Sequence, residues 1–442
     1  MMQNYLLIFC TIVFVISYVI ENRKINPITL FFGEWMIMIF LNSLGLFSLS
    51  KTDNATYMIM FVGCVAFLVG SLSTLIFPTP IRMKNKTHRA YSNNINKRII
   101  YTLSIFTIIF LVIDGMNSYV SLLRGMSFAE IRQMAQSGAQ YSNRIMNAIR
   151  IIIVSPFSMA IMPIAAMELL NEKRDKRVLG FAIIITALRT FSDGGRSAFF
   201  YFAMSLAIGY TYHRKSGKTR FNINIRFNRK LRITRKTAVA LFVAAGLGYL
   251  FWKMTLARNG AGRMVSFSYY YFAMQPIMLE KWISRVNSAN LFGYGMASFN
   301  GFLFPVFYLI SNFFQVGYPS YWRSIYDMIE AVGTDWQAIT VGGLTANSYV
   351  SVFWYLYLDG RLLGVIIGMA LLGYIMSALY ERVIKEQTTR LMAAYSLLMI
   401  GLFYSFQYIV FSNISNALGF LIILLAYKRV VPDSTEKIEN IR

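Results

Sequence analysis

The segment Asp193-Gly194-Gly195-Arg196-Ser197 joins two apolar stretches and combines residue types suited to binding an anion. The glycines allow close approach of the backbone, and a helix beginning after Arg196 directs free N–H groups and its positive dipole end to the same place. Arg189 lies about two turns deeper on the preceding helix. It should face the protein interior, because a guanidinium facing lipid costs roughly 2.5 to 3.5 kcal/mol. The alternative is a plain hairpin turn in which glycine only supplies a positive φ.

Arginine predominates among the cations of the segments that we place outside the membrane, where lysine occurs only at Lys51, Lys253 and Lys281. A planar guanidinium suits bidentate binding of phosphate and stays charged in a partly dry site. The pattern predicts a diphosphate site drawn from a pool of external arginines. The pool comprises Arg132, Arg189, Arg196, Arg258, Arg263, Arg285, Arg323 and Arg361. Each has the alternative of capping a helix, snorkelling or pairing with a nearby carboxylate.

Acid–base chemistry on the same face would have to use carboxylates, since both histidines, His88 and His213, lie in predicted cytoplasmic loops. The external carboxylates are Asp53, Glu130, Asp193, Glu280, Asp327, Glu330, Asp335 and Asp359, with Asp114 at the outer end of a span. The sequence has no GxxxxGK[ST] motif, no HExxH motif and no external His or Cys cluster. ATP hydrolysis and zinc catalysis therefore lack the residues that they need, and we predict no metal and no cofactor.

The elements that position these residues are predicted to be membrane helices. Of the 442 residues, 56% are hydrophobic and only 14% are charged, too few polar residues to cover a soluble core. Apolar runs recur at the length that crosses the ~30 Å hydrocarbon slab. The fold class is thus all-α and polytopic, with about eleven transmembrane helices. The predicted spans are 5–20, 28–48, 57–77, 99–116, 151–170, 178–192, 197–212, 237–254, 362–379, 391–408 and 412–427.

Basic residues concentrate in one alternate set of loops, and this bias orients the chain. The set comprises residues 23–24, 82–98, 173–177, 213–236, 382–390 and the tail after 428. The positive-inside rule places it in the cytoplasm, with the N-terminus outside and the C-terminus inside. The net charge of +24 therefore reflects membrane topology, and we predict no nucleic-acid partner.

One membrane domain, residues 1–442, is predicted, and residues 255–361 form a long external loop within it. A loop of this length is typical of a functional segment. The apolar stretch Phe299 to Ser311 is too short to cross and predicts an interfacial or re-entrant helix. The loop is rich in Tyr and Trp, which suit both the lipid headgroup belt and the faces of sugar rings.

The chain resembles the Wzy-type oligosaccharide repeat-unit polymerases, the family of O-antigen and capsule polymerases. The resemblance is carried by residues 193–200 at an outer helix turn and by the long external loop. It is also carried by Asn347-Ser348-Tyr349 followed by Tyr357-Leu358-Asp359-Gly360-Arg361, which is similar to the family's Asn-x-Tyr and Tyr-x-Asp-x-Gly pattern. An Arg-x10-Gly motif described for some members does not occur after Arg258 or Arg263.

The resemblance implies a metal-independent, inverting glycosyltransferase at the outer face of the bacterial plasma membrane. Donor and acceptor would be undecaprenyl-diphosphate-linked glycans, and a chain-length regulator protein is an implied partner. On this hypothesis Arg196, Arg258 and Arg263 clamp the leaving diphosphate, and Asp193, Asp335 or Asp359 deprotonates the acceptor hydroxyl. Substrate-binding roles are predicted for Arg132, Arg189, Arg285, Arg323, Asn347, Tyr349 and Arg361.

Two rival functions remain open. A glycan ligase would use the same donor but pass the glycan to another acceptor such as lipid A core, and ligases of that kind are expected to use an external histidine. A flippase or other transporter of lipid-linked sugar would more often show two similar halves with helix breaks at matching positions. The sequence has one Gly-Gly break, at Gly194 and Gly195, without a counterpart.

Overall fold

The computed structural model describes residues 1–21, 23, 25–77, 95–126, 130, 144–170, 175–193, 195, 197–214, 264–386 and 388–428. This part of the chain is mostly helical. Its first seven helices are α1 (Met2–Ile20), α2 (Pro27–Ser43), α3 (Asn54–Leu72), α4 (Lys97–Leu123), α5 (Arg144–Leu170), α6 (Lys176–Ser192) and α7 (Ser197–Arg214). The next four are α8 (Met264–Ala273), α9 (Gln275–Ala289), α10 (Asn300–Phe314) and α11 (Ser320–Thr334). A short antiparallel pair, β1 (Gln337–Ala338) and β2 (Thr345–Ala346), precedes α12 (Ser351–Glu386), α13 (Thr389–Phe403) and α14 (Ile414–Ala426).

Six helices of the described residues are long and apolar enough to cross a membrane: α1, α3, α4, α5, α12, and α13 with the turn that follows it. Three shorter apolar helices are α2, α10 and α14. The chain is therefore a helical protein compatible with several passes through a membrane, as its composition indicates. The count of eleven spans stays a prediction, and the predicted span 237–254 lies outside the described residues.

Helices α3 and α12 pack at unusually close range because glycine lies at their contact. A Cβ atom at Gly70 would overlap the carbonyl oxygen of Ala370, and one at Gly373 would overlap the carbonyl oxygen of Phe67. Small residues let membrane helices approach until their backbones touch, which gains dispersion contacts along the whole seam. The buried rings of Phe31 and Phe67 stack beside this seam, with centroids 4.1 Å apart.

Contacts between helix ends define one end of the bundle, which we call the basic end. There the Tyr101 hydroxyl at the start of α4 donates to Asp175 before α6, at 2.7 Å. The Arg23 guanidinium donates to the Tyr212 carbonyl near the end of α7, at 2.9 Å. Near the end of α12, Tyr380 donates to Glu21 at 3.1 Å. The helix ends that border the predicted cytoplasmic segments thus meet at one end of the bundle.

The predicted loop 255–361 is largely helical where it is described, from residue 264 onward. Helices α8 to α11 occupy it, and α10 covers the apolar stretch for which a short helix is predicted. Helix α12 begins at Ser351, about ten residues before the predicted span, and is interrupted at Gly360 and Arg361. The carbonyls of Leu358 and Asp359 next to this break accept N–H groups of Gly293 and Tyr294, at 2.7 and 2.9 Å. The chain after α9 therefore supplies the partners that the broken helix lacks.

Candidate functional site

A cavity of about 770 Å³ opens at the end of the bundle opposite the basic end. Its walls come from the first turns of α5, the turn between α6 and α7, and the chain between α13 and α14. Residues of α10 and α11 also line it. Three arginines and eight tyrosines line it: Arg150, Arg189 and Arg323, with Tyr201, Tyr271, Tyr308, Tyr318, Tyr326, Tyr349, Tyr404 and Tyr408.

Asp193 ties two of these arginines together. Its Oδ1 atom accepts a hydrogen bond from Nη2 of Arg150 at 2.7 Å, and its Oδ2 atom accepts one from Nε of Arg189 at 3.2 Å. Arg189 also donates to the carbonyl of Ser155, at 3.4 Å. Charge-assisted bonds of this kind fix both the distance and the orientation of a guanidinium. The turn after α6 therefore holds two positive charges at the cavity wall.

A second carboxylate lies behind this pair. Asp114 of α4 is fully buried, and its Oδ2 atom lies 3.8 Å from Nη2 of Arg150. The Arg150 side chain is only 9% exposed and begins a π-helical turn, Arg150–Val154, within α5. Single π-helical turns are frequent at functional sites, where they redirect side chains. The buried charges compensate one another, because a guanidinium so far from solvent requires anionic neighbours.

Helix α11 presents polar groups to the cavity along one stripe. Arg323, Tyr326 and Glu330 are spaced by three and four residues, which places them on one helix face. Nε of Arg323 lies 2.7 Å from Oδ1 of Asp327, and its guanidinium lies over the Tyr318 and Tyr326 rings at 5.6 Å. Burial and the nearby Glu330 charge raise the pKa of the Tyr326 hydroxyl, so it stays protonated and able to donate.

Stacked tyrosines form another part of the cavity wall, near the end of α13. The Tyr404 ring stacks on Tyr201 with centroids 4.9 Å apart and on Tyr408 with centroids 6.1 Å apart. The Tyr201 and Tyr408 hydroxyls are 2.6 Å apart, and the Asn416 amide donates to Tyr408 at 3.3 Å. Flat rings with polar edges offer sugar both an apolar face and hydrogen bonds. This wall is suited to carbohydrate.

The segment before α12 brings Tyr349 into the cavity. Ser348, Tyr349 and Ser351 all have positive φ, between 60° and 72°, a conformation that L residues rarely adopt. Asn347 holds the turn by donating its side-chain amide to the Gly333 carbonyl at the end of α11. The Tyr349 ring then stacks on Phe406, with centroids 5.8 Å apart. Asn347 thus supports the turn, and Tyr349 lines the site.

Two helix N-termini face the cavity. Ser197 begins α7, and Asn413, Ser415 and Asn416 form the start of α14. The Asn413 side chain accepts the N–H of Asn416 at 3.2 Å and so caps α14. The first N–H groups of a helix carry partial positive charge and favour anions. They offer an anion further N–H donors beside the arginines.

Asp335 and Arg285 lie away from the cavity, paired with each other. Nη1 of Arg285 lies 2.5 Å from Oδ2 of Asp335, and the guanidinium covers the Trp282 ring at 4.9 Å. This bond lowers the pKa of Asp335, and both side chains are more than 40% exposed. Neither residue is brought together with Arg189, because α9 and the end of α11 place them on another surface.

Asp359 and Arg361 lie at the break in α12 and do not line the cavity. The Asp359 carboxylate is buried, and it accepts the N–H groups of Ala297 and Ser298, both at 2.9 Å. Arg361, with φ +54°, donates to the carbonyl of Val286 at 3.3 Å and covers the Phe292 ring. Through these hydrogen bonds the two residues hold α12 against the end of α9 and the chain between α9 and α10.

Four predicted site residues lie outside the described residues: Arg132, Arg196, Arg258 and Arg263. The predicted residues that the structure does bring together are Asp193, Arg189, Arg323 and Tyr349. The sequence analysis does not predict Arg150 as a site residue. A signal was present, because Arg150 and Asp114 are oppositely charged residues at the predicted outer ends of two spans.

The chain matches no family model, no curated protein and no solved structure. Its own geometry therefore has to support any assignment. Within the described ranges, no group of three or more His, Cys, Asp or Glu side chains is placed to hold a metal ion. What the cavity offers is guanidinium groups, helix N-termini and aromatic rings.

Proposed function

We propose that this protein is a polymerase of undecaprenyl-diphosphate-linked oligosaccharide repeat units, a metal-independent inverting glycosyltransferase of the bacterial plasma membrane. The observation that carries the proposal is the gathering of Arg150, Arg189 and Arg323 with eight tyrosines around one cavity. A diphosphate needs fixed positive charge, and a glycan needs flat rings with polar edges. A lipid-diphosphate-linked glycan contains both groups in one molecule.

The placement of the cavity supports an outward-facing site. It lies opposite the basic end, where Arg23 contacts α7 and Asp175 contacts α4. Because loops rich in Lys and Arg stay in the cytoplasm, the cavity would face the periplasm or exterior. The eleven-span topology with the N-terminus outside belongs to this proposal.

In this mechanism Arg150 and Arg189 stabilise the leaving diphosphate. Charge develops on its oxygens as the bond to the anomeric carbon breaks, and guanidinium groups already held by Asp193 need no reorganisation to meet it. Such stabilisation is stronger in the transition state than in the ground state, which is the condition for catalysis. The leaving group itself supplies the driving force, so the step requires no nucleotide.

The cavity size is consistent with a large substrate that is bound only in part. A volume of about 770 Å³ lies within the range of ligand pockets, roughly 300 to 1,000 Å³. It would hold the diphosphate and the sugars next to the new bond, and the prenyl chain would remain in lipid. Exposed apolar residues on α10, including Phe313 at 78% and Phe314 at 73%, suit contact with the bilayer.

The test uses purified protein in lipid vesicles with a repeat unit linked to undecaprenyl diphosphate. Products longer than one repeat unit, formed without nucleotide or metal, support the polymerase. Transfer only to added lipid A core would instead identify the ligase. Movement of the lipid-linked sugar across the vesicle without a new bond would identify the transporter, and either result would overturn the proposal.

A further inference from the structure

Two carboxylates line the cavity in the described part of the chain, Asp193 and Glu330. They differ in what surrounds them. Asp193 lies among arginines at the turn after α6, and Glu330 lies on α11. Transfer to an acceptor hydroxyl requires one group that takes a proton, and the surroundings of the two carboxylates decide which of them is available.

Both carboxylate oxygens of Asp193 already accept hydrogen bonds. Oδ1 is bound by Arg150 at 2.7 Å and Oδ2 by Arg189 at 3.2 Å. A proton arriving on either oxygen would break an ion pair and release an arginine from the position that it holds. The physical role of Asp193 is therefore to position the two guanidinium groups.

Glu330 is exposed, and no cation of the described residues lies within ion-pair distance of its carboxylate. It follows Arg323 by seven residues and Tyr326 by four on the same face of α11. Arg323 is engaged by Asp327 one turn further along, which leaves the Glu330 oxygens to meet a ligand. The Tyr326 hydroxyl next to it stays protonated.

The two carboxylates also belong to different elements. Asp193 follows α6 and is bonded to Arg150 and Arg189, and Glu330 lies on α11. An inverting transfer needs the base on the side of the sugar ring opposite the leaving group. The assignment therefore requires the sugar to bind between the diphosphate held by Arg150 and Arg189 and the Glu330 carboxylate.

We infer that Glu330 is the general base that deprotonates the acceptor hydroxyl, an assignment that rests on the proposed glycosyl transfer. The hydroxyl proton passes to the Glu330 carboxylate as the hydroxyl oxygen bonds to the anomeric carbon. The bond from that carbon to the diphosphate oxygen breaks, and its electron pair leaves with the undecaprenyl diphosphate. The proton then leaves Glu330 to solvent, which restores the carboxylate. Atoms and charge balance without any further reactant.

The experiment compares Glu330→Gln with wild-type protein and with Glu381→Gln in the same vesicles. Glu381 pairs with Lys385 at 3.4 Å near the basic end and is remote from the cavity, so it controls for loss of one carboxylate. Gln keeps the shape of Glu but accepts no proton. We expect kcat to fall about 100-fold or more for Glu330→Gln, the usual contribution of a general base, and KM for the donor to change less than about threefold.

A merely structural role for Glu330 is separated by two further readouts. The thermal unfolding midpoint of Glu330→Gln should equal that of Glu381→Gln, and Glu330→Asp should recover part of kcat. If wild-type protein forms polymer and Glu330→Gln forms it at an equal rate, the base assignment is overturned and the polymerase stands. If wild-type protein forms no glycosidic bond, the proposed function falls and the base assignment falls with it.

Discussion

The Arg150 guanidinium donates to Oδ1 of Asp193 at 2.7 Å, joining residues 43 positions apart at the wall of the cavity. Asp114 lies behind Arg150, and Arg189 binds the other oxygen of Asp193. Four charges from α4, α5, α6 and the turn after α6 therefore form one connected group. Its arrangement explains how the fold keeps the nearly buried guanidinium of Arg150 charged, because carboxylates lie beside it.

Arg150→Ala should destabilise the protein strongly. Asp114 is fully buried, and removing the cation beside it leaves a buried charge, a change that costs about 3 to 5 kcal/mol. The thermal unfolding midpoint in detergent measures this loss. In the double variant Asp114→Asn with Arg150→Gln, the buried carboxylate is gone and much of the stability should return. An unfolding midpoint equal to wild type for Arg150→Ala alone would show that the pair is not coupled in this way.

Gly70→Ala should weaken the close packing of α3 against α12 and destabilise the protein. The added Cβ would meet the backbone carbonyl of Ala370, which cannot move as a flexible side chain can, so we expect a loss of about 1 to 3 kcal/mol. Gly180→Ala is the matched control, because no atom lies within 4 Å of a Cβ at that position of α6. In a helix interior that substitution is neutral or stabilising by about 0.5 to 1 kcal/mol. Equal unfolding midpoints for the two variants would contradict the close packing.

The pair of Arg285 and Asp335 should make stability depend on pH. The hydrogen bond from Arg285 lowers the pKa of Asp335 from its ordinary value of 3.8. The pair therefore stabilises the fold above that value, and its contribution is lost as the pH falls through the depressed pKa. The contribution is at most about 1 kcal/mol, since both groups are exposed. Unfolding midpoints of wild type and Asp335→Asn should converge as the pH falls below 3.8 and Asp335 takes up its proton, and a gap that persists unchanged in strong acid would argue against the pair.

The outward orientation of the cavity can be tested by thiol labelling in intact cells. Val341, between β1 and β2, is 84% exposed, and Lys385 near the basic end has a side chain that is 49% exposed. A membrane-impermeant maleimide should label Val341→Cys in intact cells and Lys385→Cys only after permeabilisation. Cys10 and Cys64 are buried and should not react. The reverse labelling pattern would show that the cavity faces the cytoplasm, where it could not bind lipid-linked glycans on the outer face.

The helical, membrane-compatible class could be predicted from the sequence because apolar run length is a local property that the bilayer dictates. The turn at Asp193 was also predictable, since Gly194 and Gly195 interrupt two apolar runs. In contrast, the residues from 351 to 361 were assigned to the external loop, although α12 already begins at Ser351. Gly360 and Arg361 suggest a helix boundary, but the chain at Gly293 and Tyr294 pairs with the broken turn, so the helix continues on both sides.

The site was predictable only in part, because which charges meet is decided by packing. Arg285 and Arg323 look alike in the sequence, yet one pairs with Asp335 on the outer surface and the other lines the cavity. Asp359 fits a family pattern, and the structure shows its oxygens bound to backbone N–H groups. Arg150 was missed since its partners, Asp114 and Asp193, are distant in sequence.

The most direct test is the rate at which purified Arg189→Ala extends a repeat unit linked to undecaprenyl diphosphate. Arg189 lines the cavity, and its loss leaves Arg150 bound to Asp193, so the fold should survive. Arg382→Ala, which removes a partly exposed ion pair with Glu386 near the basic end, is the control. We predict a rate about 100- to 1,000-fold lower for Arg189→Ala and an unchanged rate for the control. Equal rates for both variants would contradict a cavity built to hold the diphosphate.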